Sequence, residues 1–150
     1  MKKTTFLLMM LLPLWACDRQ EKKQTHVELA SPEGKLKVQF YMTAEGAPGY
    51  MTFFNNKVVI DSSRLGYILN KVTSLDKGFE VVKTKQIAVD TTWEQPWGEQ
   101  RLIRNYYNEL TVALAEKEGL KRKLNIVFRA FDDGLGFRYE FPEQENLKEF

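Results

Sequence analysis

Leu36, Val38, Phe40 and Met42 alternate with Lys35, Lys37, Gln39 and Tyr41. A repeat of two puts the apolar set on one side of an extended chain, because successive side chains in a strand point to opposite faces. A helix would scatter the same residues around its circumference. The period returns in Leu110, Val112 and Leu114, in Leu124, Ile126, Phe128 and Ala130, and in Phe137, Tyr139 and Phe141. Turn signals separate these runs at Glu118-Gly119 and Asp132-Asp133-Gly134. Tyr50–Phe54 and Lys57–Asp61 flank Asn55-Asn56, and Asn tolerates the positive φ of a two-residue type I′ hairpin turn. Leu65–Leu69 and Phe79–Val89 are further strand candidates, and Leu102–Leu114 is ambiguous at its start. No long amphipathic helix, internal repeat or low-complexity stretch interrupts the pattern. A hydrophobic content of 43% and 13% aromatic residues suffice for a packed core, which excludes wholesale disorder. The expectation is an all-β fold, an antiparallel β-sandwich.

The first residues follow another rule. Lys2 and Lys3 precede the uncharged run Phe6–Trp15, which ends at Ala16-Cys17. The run has the length of a signal-peptide core and is too short to span a bilayer as a stable helix. Leu14-Trp15-Ala16-Cys17 resembles the lipobox of a bacterial lipoprotein. That resemblance implies a signal peptide over residues 1–16, cleavage before Cys17, and acylation of Cys17, with two or more acyl chains giving a membrane anchor. An ordinary cleaved leader with an incidental cysteine is the alternative. Residues 17–25 contain the polar stretch Asp18–Gln24 and read as a tether. The expected location is outside the cytoplasm: periplasmic, or membrane-anchored, in a Gram-negative-type bacterium.

The chain carries 22 Lys+Arg against 20 Asp+Glu, and both surplus positive charges are Lys2 and Lys3. An exported, balanced chain is not expected to bind nucleic acid. Lys35, Lys37, Lys83, Lys85, Lys121, Arg122 and Lys123 read as residues of solvated faces. One cysteine and one histidine exclude an internal disulfide, a Cys₄ or Cys₂His₂ zinc site, and a multi-histidine metal centre within these 150 residues. His26 is expected only to pack. Asp132-Asp133-Gly134 offers paired carboxylates to a hard cation but lacks the spaced ligands of an EF-hand loop, so it reads as a turn. No nucleophile elbow, P-loop or dinucleotide fingerprint is present.

One segment is richer. Trp93-Glu94-Gln95-Pro96-Trp97-Gly98-Glu99 holds two indoles and two carboxylates, and Pro96 and Gly98 exclude a regular strand there. Indoles stack on the C–H faces of sugar rings, and carboxylates accept hydrogen bonds from sugar hydroxyls. Trp93, Glu94, Trp97 and Glu99 are therefore candidate carbohydrate-facing residues. The competing reading is a loop whose tryptophans plug one end of the sandwich.

Four stretches, in order, are Ser31–Leu36, Trp93–Glu99, Ile103–Leu110 and Phe128–Pro142. Together they resemble the N-terminal domain of glycoside hydrolase family 97, over His26 to Phe150. The resemblance implies a domain over 26–150 that forms part of a β-super-sandwich and packs on its own (β/α)₈ catalytic barrel. It also implies α-glucosidase or α-galactosidase activity on α-linked oligosaccharides, with glutamates of the barrel as general acid and, in inverting members, base. A calcium ion near the active site is implied as well, with ligands later in the polypeptide. A barrel takes about 250 residues, so it is absent from this chain and no catalytic or metal-binding residue carries over. On this reading the sandwich is incomplete and the chain by itself is inactive. The alternative is a stand-alone exported β-sandwich lipoprotein that binds carbohydrate or protein without chemistry.

Overall fold

The computed structural model describes residues 26–70 and 72–147. The expected leader, Cys17 and the expected tether lie outside these residues.

The alternating runs become strands: β1 (His26–Ala30), β2 (Leu36–Met42), β3 (Pro48–Phe54), β4 (Lys57–Arg64), β5 (Phe79–Glu94), β6 (Leu102–Glu116), β7 (Lys123–Ala130) and β8 (Leu135–Glu140). They form two four-stranded antiparallel sheets, β1-β2-β3-β4 and β5-β6-β7-β8, each in sequence order. Every neighbour is joined by a local connection, so each sheet is a meander that closes few long loops.

The sheets stack with β1 over β6 and β2 over β7. Leu36, Val38, Phe40 and Met42 meet Leu110, Val112, Leu114, Leu124, Ile126 and Phe128 in one core. Phe128 is fully buried, with ring centroids 6.3 Å from Phe40, 5.8 Å from Tyr50 and 5.9 Å from Phe137. Those separations are in the range of favourable tilted aromatic pairs. Side-chain amides staple the two sheets: Asn108 Nδ2 donates to Ala30 O at 2.8 Å, and Gln86 Nε2 donates to Glu28 O at 2.9 Å.

The Asn55-Asn56 hairpin forms as the sequence predicts, with φ of 48° and 61°. Asp132-Asp133-Gly134 is a turn, closed by Phe131 N–H to Gly134 O, while Asp132 Oδ1 accepts the Glu33 N–H at 2.9 Å. Three expectations need correction. Leu65–Leu69 is not a strand; it keeps a single bridge, Tyr67 to Leu75. Gly66 sits at φ 137° with Leu75 O only 2.5 Å from where a Cβ would be, a close crossing that bends the chain out of a ladder. Leu102–Leu114, ambiguous at its start, is strand throughout. The strand beginning at Phe79 runs past Val89 to Glu94, so Trp93 and Glu94 belong to a strand rather than to a loop.

On one side the sandwich is open. Because β2 lies over β7, the inner face of β4 has no described strand opposite it. An apolar cleft of about 460 Å³ results, walled by Tyr50, Phe54, Val59, Ile60, Leu135 and Phe137. The buried Thr52 Oγ1 on its floor has no hydrogen-bond partner.

Candidate site at the tip of the β5–β6 arm

Strands β5 and β6 span 16 and 15 residues, whereas β1–β4, β7 and β8 span 5–8. β7 pairs with β6 only from Ala115 back to Asn108. Beyond that point β5 and β6 pair with each other alone, as far as Glu94–Leu102. The result is a two-stranded arm projecting from the sandwich. Its residues suit a strand, with Val89, Thr91, Thr92, Trp93, Ile103, Tyr106 and Tyr107 all favouring extended backbone. Pro96 ends it by removing a ladder donor. The tip is closed by Gln95 N–H to Arg101 O at 2.8 Å.

Register assigns the arm's two faces. Leu110 points into the core, so its face partners Asn108, Tyr106 and Arg104 continue the inner face, opposite Ala88, Asp90 and Thr92. Here the charges are paired. Arg104 donates to both Asp90 oxygens, at 2.7 and 2.8 Å, and its guanidinium lies 4.1 Å from the Tyr106 ring centroid. Hydrogen bonds from Arg104 hold the Asp90 carboxyl below its ordinary range, and Asp90 in turn raises Arg104. The outer face carries the pairs Val89–Tyr107, Thr91–Asn105 and Trp93–Ile103. Tyr107 is buried on that face against Phe131, with centroids 5.0 Å apart and the Arg129 guanidinium 4.7 Å over its ring.

The four candidate residues cluster at the tip but do not share a surface. Trp93 lies on the outer face, 45% exposed. Glu94 lies on the inner face, its Oε1 bonded by Arg101 Nη1 at 3.1 Å. Trp97 and Glu99 stand in the connecting loop, both exposed, with Trp97 at 82%. Within the described residues neither indole plugs the sandwich, since both Trp93 and Trp97 are exposed. Gly98, at φ 136°, leaves room for the Gln95 amide, which a Cβ would strike. Among the described residues no three metal-ligating side chains come together.

Two ionic clusters escaped the sequence reading. Arg122, read as part of a solvated face, is 1% exposed and clasps Glu116. A charge flanked by Lys121 and Lys123 gives no local sign of burial; only its placement across the Glu118-Gly119 turn from Glu116 could have suggested a pair. On the outer face of the second sheet, Arg129 Nε binds Glu109 Oε2 at 2.7 Å, and Arg138 reaches Glu140 at 2.7 Å. These are the arginines of the Phe128–Pro142 stretch, and they are engaged within the domain.

Residues 29–150 match the glycosyl-hydrolase 97 N-terminal family. A retaining alpha-galactosidase of Bacteroides thetaiotaomicron is 30% identical over 139 residues, which is 93% of this chain and 19% of that enzyme. A family 97 glycoside hydrolase of Pseudoalteromonas sp. strain K8, solved in complex with acarbose, superposes at a TM-score of 0.73 with 35% identity. A beta-arabinopyranosidase superposes at 0.70 with 28% identity. Each of these two structures matches 79% of this chain and 18% of its own. The chain thus spans less than a fifth of the length of these relatives. The described residues, all strands and their connections, hold no (β/α)₈ barrel. With matching sequence and fold, this chain belongs to glycoside hydrolase family 97 and corresponds to the family's N-terminal domain.

Proposed function

We propose that this domain opens an exported, lipid-anchored α-glycoside hydrolase, packing on a downstream catalytic barrel and shaping its substrate side. The observation that carries this reading is the family membership over 29–150 together with a 30%-identical relative that is a retaining alpha-galactosidase. The substrate class is an α-linked oligosaccharide. The acid and base glutamates, and the ligands of any calcium ion, belong to the downstream part.

Within the domain, the tip of the β5–β6 arm faces the sugar. Trp97 and Glu99 are its free groups, an exposed indole for stacking and an exposed carboxylate for hydroxyls. Glu94 is held by Arg101, and Trp93 looks away along the outer face.

Two experiments test the proposal. The full-length polypeptide should hydrolyse an aryl α-glucoside or α-galactoside, while residues 1–150 alone should give no turnover above a mock preparation. Turnover by the short chain would overturn the division of labour. For the anchor, a fatty-acid analogue fed to cells should label the wild type and not Cys17→Ser. Equal labelling of both would remove the lipid from the account.

A further inference from the structure

We infer that the outer face of the β5–β6 arm and its root, the stripe formed by Ile87 at the root and by Val89, Trp93 and Ile103 on the arm, is a docking strip for the part of the same polypeptide that follows this domain. The inference rests on the proposed function in one respect, that a larger catalytic portion follows.

Three observations carry it. The first is stability. A lone two-stranded ribbon is marginal in water, because it has no layer behind it to bury its side chains. The arm beyond Asn108 has no such layer among the described residues, yet it continues in register through Trp93–Ile103 and Glu94–Leu102. The second is the asymmetry of its faces. The inner one is mostly polar and paired within itself, with Asp90, Arg104 and Tyr106 locked together and Glu94 on Arg101; its one large exposed apolar side chain, Leu102, stands at the tip. Such a face is content in water. The outer one presents Ile87 at 39% and Trp93 at 45% exposure, with Val89 and Ile103 half-buried beside them. Past the polar Thr91–Asn105 pair it continues through Val89 into the buried Tyr107–Phe131 pair on the domain body.

The third observation is size, which selects the occupant. Ile87 to Trp93 is about 20 Å of strand, and two strands are about 10 Å wide, so the strip offers on the order of 200 Å². A separate partner or a second copy of this chain needs roughly 800 Å² per side for a stable interface. A segment of the same polypeptide needs far less, because tethering replaces a bimolecular encounter with an intramolecular one. The related structures leave about four-fifths of their chains outside the part matched here, ample for such a segment. The two tryptophans therefore divide their work: Trp93 anchors the arm, and Trp97 stays free at its end.

Thiol labelling in the full-length polypeptide, in a background freed of other accessible cysteines, reads this directly. Thr92 and Trp93 are adjacent, both exposed in the domain, and on opposite faces of the arm. Under docking, Trp93→Cys should react with a maleimide at least tenfold more slowly than Thr92→Cys, at every protein concentration. Ile87→Cys should behave like Trp93→Cys. Equal rates on the two faces would overturn the inference. So would protection of the outer face that disappears on dilution, since the occupant would then be a second copy. The measurement requires no turnover, so an inactive polypeptide would count against the proposed function and leave this result standing.

Discussion

Arg122 is among the largest fully buried side chains in the domain, and it is charged. Its Nε donates to Glu116 Oε2 at 2.9 Å and its Nη2 to Glu116 Oε1 at 2.5 Å. Nη1 and Nη2 also reach the carbonyls of Thr73 and Ser74, at 2.8 and 3.3 Å. One guanidinium thus ties the β6–β7 turn to the long β4–β5 connection. Removing it strands a buried carboxylate, and Arg122→Met should cost about 3–5 kcal/mol in urea unfolding. Arg122→Met with Glu116→Met should recover much of that loss, because neither charge is then left alone. A loss below about 1 kcal/mol for the single variant would place the pair among ordinary surface bridges. Acid provides a second readout. Burial pushes the Glu116 carboxyl upward, but hydrogen bonds from the Arg122 side chain and backbone, and the charge beside it, hold it below its ordinary value of 4.5. A carboxyl depressed in the folded state contributes its full stability above pH 4.5 and loses it as the pH falls through the folded value. Glu116→Gln should flatten that acid limb of the stability curve, and an unchanged limb would assign it to other carboxylates.

Strand pairing in the first sheet depends on its tightest turn. Asn55 and Asn56 both hold positive φ, the geometry of a type I′ turn whose twist matches that of the strands it joins. Left-handed backbone costs roughly 1–2 kcal/mol for a residue with an ordinary Cβ. Asn56→Val should therefore lower the stability of the sandwich by about that amount, while Asn56→Gly should hold or slightly raise it. Thermal melts of the two variants give the comparison, and equal loss in both would point to the Lys37–Asn56 side-chain bond instead. The β5–β6 hairpin obeys a different constraint. Its turn is looser, and its length is set by fifteen paired positions rather than by turn chemistry.

Under the proposed function, the arm would make this domain part of a binding site. Trp97 is too exposed to contribute much to folding, so Trp97→Ala should leave the melting temperature near that of the wild type. An indole–sugar stack is worth roughly 1 kcal/mol or somewhat more. Its loss should raise KM for an α-linked oligosaccharide about five- to tenfold. An unchanged KM would move the sugar-facing role off this loop. The open cleft beside β4 and β8 is a separate property of the sandwich, distant in the topology from the arm, which leaves at the β5–β6 end of the other sheet.

Much of the strand layout was readable because its signal is local. Leu36 to Met42 and Leu124 to Ala130 alternate, and alternation reports which side of a strand is dry whatever lies across from it. Asn55-Asn56 likewise names its turn from two residues. Other features depend on neighbours distant in the chain. Val89, Thr91, Trp93, Ile103 and Tyr107 join one face of the arm only once Glu94 is paired with Leu102 and the register between them is set. Arg122 is dry because the turn after β6 meets Thr73 and Ser74, residues almost fifty positions away. Trp97 is wet because β5 and β6 outrun the sheet that would have covered it. Periodicity is carried by each residue's own side chain, whereas burial and the direction of a face are properties of whatever packs against it.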